Sequence, residues 1–301
     1  MLRPAVISVV LILISANLLY GVELLPKIDV QMLTAALTHT ESQINSGWCK
    51  IRYQLIPSDP KSVQPEKIKA IFAFDEERAY IKYLSWFIKD QRVIGGERFV
   101  DLRGNILICL NQDKKGKYLG RIERDVNWGA GLSPFGGCDP REYGLYINKK
   151  PISQILKEGK AEIKGVEKLK AEEEEIPCYV VDVKIKDKVW GKARLWIAPS
   201  VGFHPLRIEG KGCSMKISYK LYETEGQRVW FPHRGEWIGK GGGNVTRIEV
   251  EDFRPNEDVS PIFEGLMNLN PEGEIWDVNL SRWRPVREIL EELKAKGVMI
   301  R

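Results

Sequence analysis

The sequence has few of the residues and motifs that usually carry polar catalysis. Its 301 residues include only three histidines, and none stands at a recognisable spacing from a nucleophile or a carboxylate. There is no HExxH, no GxSxG, no Walker-type Gly-Lys-Ser loop and no GxGxxG after a strand. These absences argue against zinc proteases, serine hydrolases, P-loop nucleotidases and dinucleotide-dependent oxidoreductases.

An excess of charge of one sign is also missing. The chain carries 46 Lys and Arg against 41 Asp and Glu, and the resulting net charge of +5 is spread along its length. Nucleic-acid-binding proteins normally show a basic stripe or patch, so no nucleic-acid partner is expected. The hydrophobic content of 43%, with nine tryptophans, is typical of a globular chain and excludes a disordered one.

Paired cysteine motifs are absent as well. None of Cys49, Cys109, Cys138, Cys178 and Cys213 forms a CxxC pair, which argues against zinc ribbons and thioredoxin chemistry. Five is an odd number, so at least one thiol stays free. One or two disulfides are compatible with the sequence, and their pairing is left open. We expect no metal and no cofactor.

The first 21 residues have the pattern of a secretory signal peptide. Arg3 precedes the apolar run Ala5–Ile14, which is too short to cross a bilayer of about 30 Å as a helix. Gly21 is the small residue best suited to the position just before the cleavage site of the signal peptide. The pattern favours export to the periplasm or outside the cell, with a mature chain that is not integral to the membrane. The alternative is an uncleaved anchor that extends to Leu25.

After the predicted signal peptide, the spacing of hydrophobic residues indicates one helix and then many strands. Residues 28–46 predict an amphipathic helix that Gly47 ends. Apolar and polar residues then alternate, which predicts an antiparallel sheet with one side in water. The clearest alternating segments are 49–55, 68–74, 179–185, 193–197, 206–208 and 213–221.

Few helices are available to cover such a sheet. Besides 28–46, the sequence predicts a short helix near 151–157 and a C-terminal helix over 285–296. Residues 111–150 are rich in glycine and predict an irregular connection, and Gly239–Gly243 predicts a hairpin loop. The predicted fold class is α+β: a large curved antiparallel sheet covered on its concave side by a few helices.

Aromatic side chains are frequent on these strands and at their ends. They predict either a hydrophobic core under the sheet or the lining of a cavity for an apolar ligand. Burial of an acyl chain contributes about 0.8 kcal/mol per methylene, so a lined cavity would suit a lipid. A carrier of this kind needs no catalytic residue.

The run Ala193–Glu209, ARLWIAPSVGFHPLRIE, resembles a strand and turn of the LolA-like, outer-membrane lipoprotein-sorting superfamily. The later Val229-Trp230-Phe231-Pro232 resembles another of its strands, and Asn268–Val278 resembles the tail of many members. The resemblance implies a half-barrel of antiparallel strands around lid helices, over residues 22–255, followed by a C-terminal extension at 256–301. Arg52 is the candidate for the family's lid-latching arginine, although its alternation points it outward.

The resemblance implies a periplasmic carrier for lipoprotein acyl chains or another lipid, without catalysis. An envelope sensor or protein-interaction module of the same fold is the alternative, and a secreted enzyme is a remote one. An envelope protein is then a further expected partner. The apolar candidates for the ligand site are Ile51, Tyr53, Phe72, Phe74, Leu195, Ile197, Leu206, Ile217 and Tyr219.

Overall fold

The chain is an α+β protein, as the sequence predicted. The computed structural model describes residues 25–61, 63–88, 91–93, 96–101, 106–112, 118–125, 135, 137–171, 174–186, 189–224, 226–264 and 272–296. The predicted signal peptide at 1–21 lies outside these residues. The helices are α1 (Val30–Glu41), α2 (Ile152–Glu158), α3 (Ser260–Glu264) and α4 (Val286–Ala295).

Strands make up most of the described chain. In the first half they are β1 (Gly47–Ile56), β2 (Glu66–Phe74), β3 (Arg78–Ile88), β4 (Gln91–Val93), β5 (Gly96–Asp101), β6 (Ile106–Gln112), β7 (Tyr118–Glu123), β8 (Tyr146–Ile147) and β9 (Lys150–Pro151). In the second half they are β10 (Glu162–Ala171), β11 (Glu174–Lys184), β12 (Lys192–Ala198), β13 (His204–Glu209), β14 (Cys213–Thr224), β15 (Gln227–Gly239), β16 (Val245–Pro255), β17 (Glu274–Asp277) and β18 (Arg282–Pro285).

The strands form a 16-stranded sheet with the hydrogen-bonded order β10-β11-β12-β13-β14-β15-β16-β1-β2-β3-β5-β6-β7-β17-β18, and β4 pairs with β3 off this path. β8 and β9 form a separate pair. Among the pairings with a resolved register, only β7 with β17 is parallel. The large, mainly antiparallel sheet predicted from the alternation is therefore confirmed.

The chain divides into two compact units. Unit 1 holds residues 1–44, 57–59 and 140–249, and unit 2 holds residues 45–56, 60–139 and 250–301. The predicted C-terminal extension, 256–301, lies wholly within unit 2.

Helix α1 is shorter than the period predicted. It begins after Asp29, whose carboxylate accepts from the Met32 N–H at 2.7 Å, and it ends at Glu41 instead of at residue 46. The chain beyond continues as a turn, in which the Ile44 N–H donates to the Glu41 carbonyl, and the Asn45 N–H then donates to the Asn256 side-chain oxygen at 3.0 Å. This contact joins residues far apart in sequence, so the local hydrophobic period carried no sign of it.

The prediction that residues 111–150 form an irregular connection is wrong for 118–123. That segment is β7, which pairs with β6 on one side and with β17 on the other. Gly120 permits the second contact, because a Cβ there would lie 2.8 Å from Ile275 Cγ1. Asp277 of the partner strand lies 155 residues after Ile122, with which it pairs. A local sequence pattern could therefore not reveal this pairing.

The prediction of a sheet with one side in water is wrong for parts of β2, β3, β11 and β12, where consecutive residues are buried. All residues from Cys178 to Val183 are buried, so both faces of β11 are covered. The second face carries a cluster of its own, with Cys178, Val180, Leu206 and Trp196 at its centre. The Trp196 indole N–H donates to Glu167 at 2.8 Å, so its one polar group is satisfied.

In unit 2 the two faces of the sheet are covered by different parts of the chain. Ala73, Tyr80 and Phe99 are cross-strand neighbours and belong to one core cluster. Helix α4 supplies Val286, Ile289 and Leu293 to the same cluster, and α3 supplies Phe263. The C-terminal helices therefore cover this face of unit 2.

A buried charge network holds the C-terminal segment to the end of β7. Asp277 is fully buried and accepts from Arg124 at 2.8 Å and from Arg284 at 3.1 Å. Arg124 also donates two hydrogen bonds to Glu292 on α4, at 2.8 and 2.9 Å. Removing one member of such a network leaves a charge buried without its partner, which destabilises a fold far more than loss of a surface ion pair.

We expect Glu292→Gln to reduce the loss of stability in acid. Burial alone would raise the pKa of Glu292, but hydrogen bonds from Arg284, Arg124 and Lys296 lower it to about 2, below its ordinary value of 4.5. A carboxyl whose folded-state pKa is lowered stabilises the fold above pH 4.5, and this stabilisation is lost as the pH falls toward 2. Thermal unfolding midpoints measured across this window should fall less steeply in the variant than in the wild type.

The matched control for this experiment is Glu291→Gln, on the exposed side of the same helix. It should keep the wild-type pH dependence. Equal slopes for all three proteins would contradict the role given to Glu292.

Candidate functional site

The nine candidate residues for the apolar site lie on the sheet of both units. Ile51, Tyr53, Phe72 and Phe74 are in unit 2, and Leu195, Ile197, Leu206, Ile217 and Tyr219 are in unit 1. Eight are buried, with exposed fractions of 0 to 6%, and Tyr219 is half-buried. The two groups are described separately below.

The four candidates in unit 2 share one face of the sheet. Phe72 and Phe74 are two residues apart on β2, and Ile51 and Tyr53 are two apart on β1, so each pair points the same way. This face is opposite the one that carries Ala73 and the C-terminal helices.

Aromatic residues from other segments cover this face. Phe135 meets Phe72 edge to face, with ring centroids 5.4 Å apart, and Phe253 stacks on Phe74 at 6.4 Å. Gly47 allows Phe253 to approach, because a Cβ at residue 47 would lie 2.8 Å from its ring. No local pattern indicated that residues 135 and 253 would meet β2.

Three candidates in unit 1 also share a face. Leu195 pairs with Ile208, which pairs with Met215, and Ile217 follows two residues later on β14. Ile197 stands two residues after Leu195 on β12. These side chains are buried beside the equally buried Val181 and Val183 of β11.

The segment from residue 140 to 159 covers this face of unit 1 closely. A Cβ on Gly235, the cross-strand partner of Ile217, would lie 2.3 Å from the Tyr143 ring. A Cβ on Gly144 would lie 2.1 Å from the Tyr219 hydroxyl, and one on Gly159 would lie 2.5 Å from Val183. Because these three glycines have no side chain, the Tyr143 ring and the backbone of residues 140–159 can pack directly on the sheet.

Leu206 does not join the Leu195 face. It sits at the irregularity in the β12–β13 pairing and packs in the cluster with Trp196 and Val180. Trp196 alternates with Leu195 and Ile197, so this cluster lies on the other side of the sheet. Simple alternation could not show this, because the register shift between Trp196 and Ile197 changes the neighbours of Leu206.

Helices α1 and α2 are joined by the Glu41 carboxylate and by a hydrogen bond from Lys157 to Thr38 at 3.2 Å. Glu41, the last residue of α1, accepts hydrogen bonds from the backbone N–H of Ser153 at 3.0 Å and from its hydroxyl. The carboxylate thereby satisfies the first turn of α2, which has no capping side chain of its own. Burial raises the pKa of Glu41, while the bonds from Ser153 and the charge of Lys157 oppose the rise.

The buried His204 and the half-buried Tyr219 form a stacked ring pair. Their rings stack at 4.9 Å with an angle of 10°, and the Tyr219 hydroxyl donates to the Pro205 carbonyl at 3.3 Å. Burial lowers the pKa of His204 to about 3, so the imidazole is neutral near pH 7. Neither ring nitrogen has a partner among the described residues.

The guanidinium of Arg52 forms an ion pair with Glu251, and the side chain is exposed on the face opposite Ile51 and Tyr53, as its alternation predicted. Helices α1 and α2 are joined by the contact between Glu41 and Ser153 and by a hydrogen bond from Lys157 to Thr38. Sequence reasoning missed both contacts because their residues are 112 and 119 positions apart.

Cys109 and Cys178 are free thiols. Cys178 and Cys213 are held on opposite faces of the unit 1 sheet, since Cys178 packs with Trp196 and Cys213 aligns with Met215. Within the described ranges, no group of three or more His, Cys, Asp or Glu side chains is placed to hold a metal ion.

Comparison with solved structures gives a likeness of fold. An outer membrane lipoprotein-sorting protein domain from Vibrio parahaemolyticus is 10% identical with a TM-score of 0.49, covering 79% of this chain and 99% of its own. A LolA superfamily protein from Nitrosomonas europaea is 12% identical with a TM-score of 0.48, covering 79% and 98%. A DUF1329 family protein from Desulfovibrio piger is 11% identical with a TM-score of 0.49, covering 78% and 97%.

At identities of 10 to 12%, these similarities concern the fold and not the ligand. No protein-family model and no curated protein matches the sequence. Among the residues that the structure describes, no helix is both long and apolar enough to span a membrane.

We expect Glu41→Ala to destabilise the protein by about 1 kcal/mol, because α2 loses the acceptor for its first turn. Glu41→Gln should retain most of the stability, since an amide oxygen can still accept from the Ser153 N–H. Free energies of unfolding from denaturant titration test both. The control is Gln154→Ala, an exposed residue of the same helix; equal losses in all three variants would contradict the capping role.

Gly235→Ala should destabilise unit 1 by about 1–3 kcal/mol, because the added methyl group overlaps the Tyr143 ring. The effect should largely disappear in a Tyr143→Ala background, where the ring is gone. A double-mutant cycle on the free energy of unfolding measures this coupling. Strictly additive effects would show that residue 143 does not pack on β15.

Proposed function

We propose that this chain is an exported binding protein that carries an acyl chain of a lipid or lipoprotein. The observation that supports this most directly is the apolar face of unit 1, with Leu195, Ile197 and Ile217. It is covered by short segments, and helices α1 and α2 of this unit are tied to each other through the Glu41 carboxylate and a hydrogen bond from Lys157 to Thr38. Movement of such a cover would open an apolar surface to a chain-like ligand.

The closed face is compatible with a carrier that holds no ligand. Large exposed apolar patches promote association, so an empty carrier is expected to cover its site. An acyl chain that replaced the cover would contribute about 0.8 kcal/mol per buried methylene, which offsets the loss of the cover's own contacts. Among the described residues near this face, Glu41, Tyr219 and His204 form no acid–base relay, which favours binding over catalysis.

The second candidate function is an envelope sensor or protein-interaction module. It is favoured by the side chains that occupy the apolar faces, Tyr143 in unit 1 and Phe135 in unit 2. If these stay in place, the partner is an envelope protein and not a lipid. The proposed compartment is the periplasm or the exterior of the cell, on the basis of the pattern at residues 1–21.

Native mass spectrometry of the full chain, purified from cells of its own source, tests the proposal. A carrier should retain an adduct that lipid extraction assigns to an acyl-bearing molecule. After removal of lipid, the protein should bind a fluorescent fatty-acid probe and release it to an unlabelled long-chain fatty acid, but not to inorganic phosphate. Absence of both the adduct and probe binding would overturn the carrier function and favour the interaction module.

A further inference from the structure

Lysines gather in the turns at one end of the unit 1 sheet. Consecutive strands of an antiparallel sheet run in opposite directions, so alternate turns come to the same end. At this end lie the segment between α2 and β10 and the turns β11–β12, β13–β14 and β15–β16. Each of them carries at least one lysine, and we call this set the lysine rim: Lys160, Lys186, Lys192, Lys211 and Lys240.

Main-chain hydrogen bonds join three of these turns. The Lys211 N–H donates to the Trp190 carbonyl at 2.9 Å, and the Gly212 N–H donates to the Val189 carbonyl at 2.8 Å. The Lys240 N–H donates in turn to the Gly212 carbonyl at 2.9 Å. Adjacent strands are about 4.8 Å apart, so turns that are two strands apart lie about 10 Å from one another. The backbone therefore holds these lysines side by side.

Close packing of the α2 end brings the first lysine of the rim to the same place. A Cβ on Gly159 would lie 2.8 Å from the carbonyl oxygen of Lys184, near the end of β11. Lys160 directly follows this contact, and it also directly follows the last turn of α2. The lysine rim thus begins where the cover of the apolar face ends.

Most of the positive charge on the rim is not neutralised by the fold. All five lysines are exposed. Lys192 lies 3.6 Å from Asp182, but that carboxylate already accepts two hydrogen bonds from Arg194. The other four form no ion pair with any residue that the structure describes. Screening in about 0.1 M salt acts over about 10 Å, so the potentials of neighbouring rim lysines add.

Stability of the fold does not account for this arrangement. Lys184 and Lys192 stand directly opposite each other on β11 and β12, and like charges in that position destabilise a sheet. The β10–β11 turn, at the other end of these strands, carries the exposed Glu174 and Glu175 instead. Positive charge is therefore concentrated at one end of the sheet, although it is dispersed along the sequence.

We infer that the lysine rim docks this chain on a lipid surface that carries anionic phosphate head groups. An ammonium group is a compact charge on a flexible stem, so lysines can follow the phosphates of a fluid surface without the fixed geometry of a paired guanidinium. Val189, which is 44% exposed in the β11–β12 turn, places an apolar side chain beside these charges, as interfacial segments do.

This inference deepens the proposed function and rests on it. A carrier of acyl chains has to collect or deliver its cargo at a lipid surface. Because Lys160 follows α2 directly, docking through the rim would bring the end of the cover close to that surface.

The test is flotation of the full chain with vesicles of phosphatidylcholine mixed with phosphatidylglycerol, compared with vesicles of phosphatidylcholine alone. The wild type should bind far more strongly to the anionic vesicles, and about 1 M salt should release it, because screening then acts over about 3 Å. One lysine near an anionic surface strengthens binding about fivefold. Lys186→Gln, Lys211→Gln and Lys240→Gln combined should therefore weaken binding about a hundredfold.

The matched control combines Lys170→Gln, Lys216→Gln and Lys220→Gln, which remove the same charge from exposed lysines of unit 1 outside the rim. It should bind anionic vesicles nearly as the wild type does. An equal loss in both triple variants would show that net charge alone drives binding, and it would overturn docking through the rim. Should the rim variant not fold, Lys211→Gln alone replaces it, with an expected loss of about fivefold.

The outcomes separate this inference from the proposed function. The rim variant should bind the fluorescent fatty-acid probe as the wild type does, because the apolar face is not part of the rim. Probe binding by a wild type that ignores anionic vesicles would overturn the docking surface and leave the carrier standing. Binding to polyglutamate in preference to anionic vesicles would also overturn it, since the partner would then be an acidic protein. Vesicle binding without probe binding would support the docking surface and contradict the carrier.

Discussion

The requirement to cover apolar side chains on both faces of the sheet governs the rest of this structure. Consecutive residues of a strand point to opposite faces, and in β2 both Phe72 and Ala73 are fully buried. One cover therefore cannot suffice. Helices α3 and α4 bury the Ala73 face, and the rings of Phe135 and Phe253 bury the Phe72 face. In unit 1, the cluster around Trp196 buries the face of the sheet opposite the one that carries Leu195.

The covering segments are attached through buried polar groups. Asp277 and Glu292 tie α4 to the end of β7 through Arg124, and Glu41 ties α1 to α2 through Ser153. Each contact satisfies charges or backbone donors that would otherwise be buried unpaired, and this makes it specific as well as stabilising. The two attachments differ in kind, because the first is a network of charges and the second joins a carboxylate to the first turn of a helix.

Much of the secondary structure was predictable from local pattern. Hydrophobic periods of 3.6 residues for helices and two for strands predicted the positions of these elements, with ends shifted by a few residues. The helices predicted in this way lie near 28–46, 151–157 and 285–296. The errors share one cause. Strand β7, the second buried face of β11 and the position of Leu206 all depend on partners distant in the chain or on a register shift, and neither leaves a local signature.

The amino-acid sequence alone determined which residues are apolar and where most helices and strands form. It also showed that no familiar catalytic motif is present. The tertiary structure decided which strands are neighbours, and with them the sets of side chains that meet. Lys192, Lys211 and Lys240 come to one end of unit 1 only because the strands from β11 to β16 pair in order. Glu41 meets Ser153 across 112 residues in the same way. Alternation is a local property of one strand, whereas register and packing arise from contacts between remote segments, so a candidate site assembled from several strands becomes visible only in the folded chain.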